Sequence, residues 1–458
     1  MPDSKSLSTI HLPAIWLIVS LCIALLLPNG LAFADDASNA SSGSAQAPGA
    51  PAAASASAGQ PRGAAGVEER PVAKRAQEAV GTCIAGLFAG WGVDDPASFY
   101  NSDELLIDDG SCVWLAFDVY RAGATDGSKA FLERLERYAT ESYAGDQHGL
   151  DAYSPTTWAR TALVAGTMGA NPHKFGKNAD GQPADLLSDG LYNWSYTESL
   201  SDQGSNALIY ALQAIDALQV AVPADAKYSA EYMLEGLLDC QADDGSFALS
   251  PGSRTGSVDL TGMALSALAP YRDMPEVGKA VDAAIEYLSA QQSNDGGFAA
   301  EGEATSESCS MVVIGLSACG IDATIDKRFV KEGGTPLDAL LKFQKDNGTF
   351  AHVVGDLSDE KVKDIPTEQA LRALVAFAEL QQGGDGNVYT HDMALDVWKV
   401  SAEEVAPAAG GDGGGDGGAF LDTGWVPYLI SILIGAAGAV VAVMAIWFVR
   451  RVRRKARR

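Results

Sequence analysis

A seven-residue phrase recurs at intervals of about 50 residues, and this period constrains the fold more than any other feature of the sequence. The copies are QADDGSF at 241–247, QSNDGGF at 292–298 and QKDNGTF at 344–350. The Asp-Gly and Asn-Gly pairs supply the left-handed backbone of a tight turn, and the phenylalanine can anchor that turn. The glutamine, at the end of a helical segment, can satisfy free backbone groups. We interpret the phrase as a structural brace in a repeat architecture.

Two kinds of helical segment alternate around these turns. Segments before the phrase, at 229–240, 277–291 and 336–343, carry apolar residues at helical spacing and one polar face, which predicts outer helices. Segments after it are apolar on most faces and rich in small residues, which is typical of buried helices. These inner segments lie at 114–120, 162–165, 211–215, 264–268, 315–319 and 370–374. The pattern predicts an all-α domain over residues 71–400, with six helical hairpins in an inner and an outer ring.

The N-terminal region has the features of an export signal. An apolar run follows Lys5, and Ala32 and Ala34 provide small residues at a cleavage position, so residues 1–34 are predicted to be a signal peptide. An uncleaved anchor is the alternative, because the run approaches the length of a bilayer span. Residues 35–70, mostly Ala, Ser, Gly and Pro, are predicted to be a disordered leader.

The C-terminal region has the features of a membrane anchor. Residues 401–422 form a Gly/Asp-rich stalk, residues 423–449 contain an apolar run long enough to cross a bilayer, and residues 450–458 are basic. Cationic residues stay on the cytoplasmic side of a membrane. We therefore expect a single-pass plasma-membrane protein with most of the chain extracellular and its C-terminus in the cytoplasm.

Charge and cysteine content restrict the partners of the chain. The formal charge of −27 predicts no binding to nucleic acid, because the phosphate backbone requires cationic surfaces. One of the six cysteines, Cys22, falls in the predicted signal, and the odd number left does not imply a full disulfide framework. The sequence does not decide whether two of the remaining five cysteines form one disulfide bond.

The repeats resemble the α/α-toroid superfamily, which includes terpene cyclases, protein prenyltransferase β subunits and the transcobalamin and intrinsic factor corrinoid carriers. The segments that carry the likeness are QGSNALIYALQAID at 203–216, SVDLTGMALSALAPY at 257–271 and IPTEQALRALVAF at 365–377. They look most like bacterial surface relatives of the corrinoid carriers. The resemblance implies an α6/α6 toroid and makes a corrinoid-like small molecule one expected ligand. Corrinoid carriers close their ligand with a smaller β domain that this chain lacks, so the resemblance also implies a separate β-domain surface protein as partner or a different ligand.

The residues do not support the enzymes of that superfamily. A cyclase of this type protonates its substrate with a DxDD motif, which the sequence lacks. A prenyltransferase needs Asp, Cys and His around zinc. Glu307 and Cys309 lie near the positions expected for the Asp and Cys ligands. The position expected for the histidine ligand is around Thr367 and Glu368, and no histidine occurs there. We therefore assign no catalytic residue and no metal site, and we expect a protein that binds its ligand without catalysis.

Two alternatives stay open. The first is a surface enzyme acting on glycans or lipids, because His148 or Tyr153 could supply a lyase-type base and Arg160 or Asn206 could neutralise a uronate. The second is a purely scaffolding role, which a centre filled with side chains would favour.

The expected ligand site is the mouth at the first turns of the inner helices. Helix N-termini present unpaired N–H groups and a positive dipole end to whatever enters such a mouth. For each acidic or threonine residue there, helix capping is the competing interpretation. The candidate residues are Tyr153, Thr156, Trp158, Asp202, Gln203, Asn206, Asp259, Glu307, Thr367, Glu368 and Gln369.

Overall fold

A computed structural model describes residues 71–146, 148–300, 302–355, 365–390, 395, 397 and 398, all within the unit Ala64–Arg458. The predicted signal, leader, stalk, membrane span and basic tail lie outside the described residues. Within the described part of the chain, no helix has the length and apolar character needed to cross a membrane.

The described chain is mostly helical, which confirms the all-α prediction at that level. Strand structure in this part of the chain is limited to a short antiparallel pair, β1 (Ala299–Ala300) and β2 (Glu303–Ala304), and isolated bridges. The helices are α1 (Pro71–Trp91), α2 (Pro96–Asn101), α3 (Gly110–Arg121), α4 (Ser128–Ala144), α5 (Pro155–Thr167), α6 (Ser205–Ala217), α7 (Ala230–Leu238), α8 (Val258–Leu268), α9 (Pro275–Gln291), α10 (Ser306–Ala318), α11 (Pro336–Leu341) and α12 (Ile365–Gln381).

Six of these helices contact one another in a closed circuit. Helix α3 packs on α5, α5 on α6, α6 on α8, α8 on α10, α10 on α12, and α12 returns to α3. They contain all six segments that the sequence predicts to be inner, except that α10 ends one residue before Cys319. Most residues of each are buried, as their nearly all-round apolar composition requires.

Neighbouring helices of the circuit run parallel, so their N-terminal ends lie at the same end of the packing. In each pair, the contacts join positions at similar heights along the two helices, mostly in their middle and late turns. The contacts that fix direction are Gly110 with Arg160, Gly166 with Leu218, Gln213 with Ser266, Asp216 with Tyr271, Gly262 with Met311, Leu265 with Cys319, Ser317 with Gly386, Asp118 with Arg372 and Arg121 with Glu379.

Small residues allow α8 and α10 to approach closely. A Cβ atom at Gly262 would overlap the Met311 carbonyl oxygen, and one at Gly315 would overlap the Gly262 carbonyl oxygen. Glycine at both positions therefore lets the two backbones touch, as close-packed interiors require.

Five further helices pack against the circuit. Helix α4 lies on α5, α7 on α6, α9 on α8, α11 on α10, and α1 on both α12 and α11. Their buried residues follow one stripe, as the sequence predicts for outer helices. Between α5 and α6 the chain departs from the predicted hairpin pattern. Residues 168–204 form short 3₁₀ turns and a π-helical turn, Ser188–Tyr192, in place of an outer α-helix.

Each copy of the repeated phrase ties its own turn to the next outer segment. The Nε2 of Gln241 donates hydrogen bonds to the carbonyl oxygens of Gly245 and of Ala280 in α9, at 3.0 and 2.8 Å. Gln292 makes the same pair of bonds, at 2.9 Å to Gly296 and 3.0 Å to Phe329. The phrase is therefore a brace between consecutive repeats.

The third copy closes the domain onto its first helix. Gln344 Nε2 donates to the carbonyl oxygens of Gly348 and of Ala79 in α1, at 3.0 and 3.2 Å. Gly348 has a φ of 87°, and a Cβ atom there would overlap the Thr82 carbonyl oxygen, so the turn requires glycine. The same brace thus joins the last repeat to the first.

The phenylalanine of each copy is buried and its backbone is held by an inner helix. Phe247, Phe298 and Phe350 are at most 1% exposed. The Phe247 N–H donates to the hydroxyl of Thr261 in α8, and the Phe350 N–H donates to the hydroxyl of Thr367 in α12. The brace therefore connects outer segments to the circuit as well as to each other.

None of the five described cysteines is in a disulfide bond. Cys83, Cys112, Cys240 and Cys309 are buried, and Cys319 is half-buried. Burial raises the pKa of Cys309 to about 12 and that of Cys240 to about 11, so neither is a reactive thiolate near neutral pH. They act as small hydrophobic residues.

The brace predicts a stability difference between two adjacent glutamines. Gln292→Ala leaves the Gly296 and Phe329 carbonyls without their donor and should lower the free energy of unfolding by about 1–3 kcal/mol. Its neighbour Gln291 is exposed, so Gln291→Ala should change the free energy of unfolding by less than about 0.5 kcal/mol. Urea unfolding of both variants is the measurement. Equal losses would contradict the assignment of a brace.

A buried carboxyl group predicts a pH dependence of stability. Tyr271 donates to Asp216 Oδ1 at 2.7 Å, while burial raises the pKa of Asp216 to about 7. Above about pH 4 the folded chain then holds this proton more tightly than the unfolded chain. The free energy of unfolding should therefore fall as pH rises from about 4 to about 7, by at most about 4 kcal/mol for three pKa units.

Substitution of this carboxyl tests the assignment. Asp216→Asn should flatten the fall between pH 5 and pH 8 in urea unfolding, whereas Asp225→Asn at an exposed position should leave it unchanged. An unaltered pH profile in Asp216→Asn would assign the effect to other groups.

Candidate functional site

The first two turns of the circuit helices form one surface, which we call the N-terminal face. Capping residues order several of these turns. Asp109 Oδ1 accepts from the backbone N–H groups of Ser111 and Cys112 at the start of α3, and Thr305 caps α10. Since all six helices run parallel, their positive dipole ends collect on this face.

Three predicted residues of this face carry buried oxygen atoms without a hydrogen-bond partner. They are Asn206 Oδ1 in α6, Asp259 Oδ1 in α8 and Gln369 Oε1 in α12. A buried acceptor without a donor costs roughly 1–3 kcal/mol. Each of the three residues is partly exposed, although the named oxygen is buried. These are groups that a ligand able to donate hydrogen bonds would satisfy.

An arginine with one unpaired nitrogen lies on the same face. The Nε of Arg160 in α5 is buried and makes no hydrogen bond within the described residues. Its guanidinium lies against the start of α3, where a Cβ atom at Gly110 would be 2.9 Å from Nη1. Burial lowers the pKa of Arg160, and the nearby Tyr210 and Glu368 oppose that change. The face therefore offers an uncommitted donor beside its uncommitted acceptors.

Aromatic side chains fill the interior below this face. Trp114 of α3 and Tyr210 of α6 have ring centroids 5.6 Å apart, although these two helices are not neighbours in the circuit. The Arg372 guanidinium lies over the Trp114 ring at 4.1 Å, and Tyr389 packs on the same ring at 6.0 Å. The contacts cross the interior, so a ligand at this face lies above a floor of side chains.

Buried ion pairs join the first and last helices of the circuit. Arg372 of α12 donates from Nε and Nη2 to the two Asp118 oxygens of α3, at 2.9 and 3.1 Å, and also pairs with Glu368. One turn further along, Arg121 Nη2 pairs with Glu379 at 2.7 Å. Burial raises the pKa of Asp118, and the Arg372 guanidinium opposes the rise.

Sequence reasoning identified Glu368 in this network but missed the other members. The available signal was a charged residue inside an otherwise apolar segment, as with Arg372 in ALRALVAF and Asp118 in WLAFDVY. Such a residue must find a partner when it is buried. The identity of that partner was not readable, because it lies about 250 residues away in the chain.

Two predicted site residues are buried in structural contacts. Trp158 is fully buried and donates its indole N–H to the Asp151 carbonyl oxygen at 2.8 Å, so it packs the core and does not face an opening. The Thr367 hydroxyl is occupied by the Phe350 backbone. Tyr192 and Trp194, in the loop before α6, are also buried.

Other predicted site residues make local contacts. Asp202 forms a capping box with Ser199, which agrees with the capping interpretation. The Thr156 hydroxyl bonds to that of Ser154 at 2.8 Å, and Glu307 pairs with His352 at 2.9 Å. Tyr153 is 67% exposed and Gln203 is exposed. Asn206, Asp259, Glu368 and Gln369 of the predicted set each lie in the first two turns of a circuit helix.

The residue types that bind metal ions are dispersed. Across the described parts of the chain, no three His, Cys, Asp or Glu residues lie close enough to hold a metal ion. Cys309 lies in α10 with its thiol buried.

No protein-family model matches this sequence, and no curated protein matches it.

The buried ion pairs predict unequal effects of removing two arginines. Arg372→Met leaves Asp118 and Glu368 buried without their cation and should lower the free energy of unfolding by about 3–5 kcal/mol. Arg272→Met removes an exposed pair with Asp282 and should cost less than about 1 kcal/mol. Thermal and urea unfolding of the two variants test this. Similar losses would show that the buried network is not what holds α3 to α12.

Proposed function

We propose that the described domain is an α/α toroid that binds a ligand without catalysis, in a protein held at the cell surface by its C-terminal segment. The closed circuit of six parallel helices supports an inner ring, and the five helices packed against it support an outer ring. The brace from Gln344 to Ala79 supports closure of the outer ring as well.

One observation carries the binding proposal. Uncommitted hydrogen-bonding groups of both polarities collect on the N-terminal face, namely the acceptors Asn206, Asp259 and Gln369 and the donor Arg160. Natural proteins keep such unfavourable groups where function requires them, and stability tends to rise when they are removed.

The same groups indicate the chemistry of the ligand. A ligand rich in amide groups supplies N–H donors for the three oxygens and a carbonyl acceptor for Arg160. Both a corrinoid-like small molecule and the main chain of a partner protein have this chemistry. The interior below is filled by Trp114 and Tyr210, which is what the scaffolding alternative expects, so the binding proposal places the ligand on the face, where a separate β-domain partner would cover it.

Paired measurements of binding and stability test the proposal. Equilibrium dialysis of the full-length protein against cobalamin and cobinamide, with and without a candidate β-domain protein, should detect binding. Asn206→Ala with Gln369→Ala should weaken that binding at least tenfold and leave the melting temperature unchanged or higher, because two unsatisfied buried oxygens are removed. Asp225→Ala, at an exposed position outside the candidate set, is the control and should change neither value.

Two results would count against the proposal. Absence of binding in every corrinoid experiment removes the corrinoid version and leaves the partner protein. If the double variant loses as much free energy of unfolding as free energy of binding, Asn206 and Gln369 have a structural role.

The enzyme alternative finds no support at the N-terminal face. Tyr153 is exposed, and it does not line the cavity that contains His148. His148 nevertheless lies in a polar cavity of its own.

A further inference from the structure

We infer that a cleft beside the loop between α5 and α6 is a second binding site, specific for a neutral carbohydrate. This loop cleft has a volume of about 250 Å³ and is lined by the side chains of Tyr143, His148, Asp180, Asp189, Ser195 and Tyr196, among others. None of these residues belongs to the groups assigned to the N-terminal face. The volume lies near the lower end for ligand pockets, which suits one ring-sized unit.

His148 has an unusual backbone conformation at the edge of the cleft. Its φ is 54°, in the left-handed region that non-glycine residues rarely adopt. Gln219, the other described non-glycine residue with positive φ, follows the end of α6, where such a conformation terminates a helix. His148 has no helix end to explain it. Tyr196 holds it by donating from its hydroxyl to the His148 carbonyl oxygen at 2.9 Å.

Asp189 is the second unusual group. It lies in the π-helical turn Ser188–Tyr192, a rare element that frequently occurs at functional sites. Tyr143 donates to Asp189 Oδ2 at 2.6 Å, which fixes the carboxyl and leaves its other oxygen for a ligand. Burial raises the pKa of Asp189, and the Tyr143 hydrogen bond opposes the rise.

Buried Trp158 holds the walls of the cleft in place. Tyr143 and Tyr196 pack on its ring with centroid distances of 5.6 and 5.5 Å. Gly149 and Gly190, on the two chain segments that border the cleft, lie so close to Trp158 that a Cβ atom at either position would overlap it. The cleft is thus preorganised by the core, which reduces the entropic cost of binding.

The lining favours a neutral polyol over other ligands. Its polar groups are an imidazole, two carboxyl groups, two amides, a hydroxyl and two phenols, so the lining holds both donors and acceptors, as sugar hydroxyls require. Two aspartates disfavour an anion. A cation is disfavoured as well. Asp189 is occupied on one side by Tyr143, which leaves the exposed Asp180, and an exposed carboxylate alone holds a cation weakly.

Saturation-transfer NMR and calorimetry on the full-length protein test the site. The probes are glucose, galactose, mannose and N-acetylglucosamine, with glucuronate as the anionic comparator. At least one neutral sugar should bind, and glucuronate should bind at least tenfold more weakly.

Two variants locate the binding. His148→Asn removes the imidazole but keeps a residue that tolerates positive φ, and Asp180→Asn removes the exposed carboxylate. Each should weaken sugar binding about tenfold without changing the melting temperature, whereas Asp225→Asn, on a different exposed loop, should have no effect.

Several outcomes would overturn the inference. They are no binding of any neutral sugar, equal or stronger binding of glucuronate, or affinity that neither His148→Asn nor Asp180→Asn alters. The double variant Asn206→Ala with Gln369→Ala should bind sugar normally, so failure here is distinguishable from failure at the N-terminal face.

Discussion

The burial of two ion pairs between α3 and α12 is the interaction on which the rest of the packing depends. Asp118 with Arg372 and Arg121 with Glu379 join helices that lie about 250 residues apart in sequence. Buried charges are tolerated only when each finds its partner, so separating these helices would strand four charged groups in an apolar interior. The apolar contacts of the circuit are non-directional. The ion pairs add a geometric condition that α3 and α12 meet in one register.

The repeated brace carries the same closure to the outer helices. Gln241, Gln292 and Gln344 each hold their own turn and the next outer segment, and for the third the next segment is α1. A chain made of such units buries its faces only by stacking neighbours, and closure removes the exposed terminal faces. First and last units therefore need the same brace as the internal ones.

This packing separates structural groups from uncommitted ones. The interior is occupied by Trp114, Tyr210 and Arg372, all in contact with one another or with buried partners. Buried polar atoms without a hydrogen-bond partner within the described residues occur on the N-terminal face, as at Asn206 and Gln369, and also elsewhere in the packing, as at Gln213. Both sites rest on a preorganised core, and Trp158 shows how: a residue expected to touch ligand is buried and positions the tyrosines that line the cleft.

Sequence alone determined the repeat period, the helical class, the alternation of outer and inner segments and the turn chemistry, because these depend on residues close in the chain. It also predicted that Asn206, Asp259 and Gln369 lie near the starts of inner helices, because a helix start can be recognised from residues close in the chain. Only the tertiary structure decided that Asp118 meets Arg372, that Trp114 reaches Tyr210 across the interior, and that Trp158 and Thr367 are buried. Those outcomes depend on which distant segments pack together, and no local periodicity specifies the partner of a buried side chain.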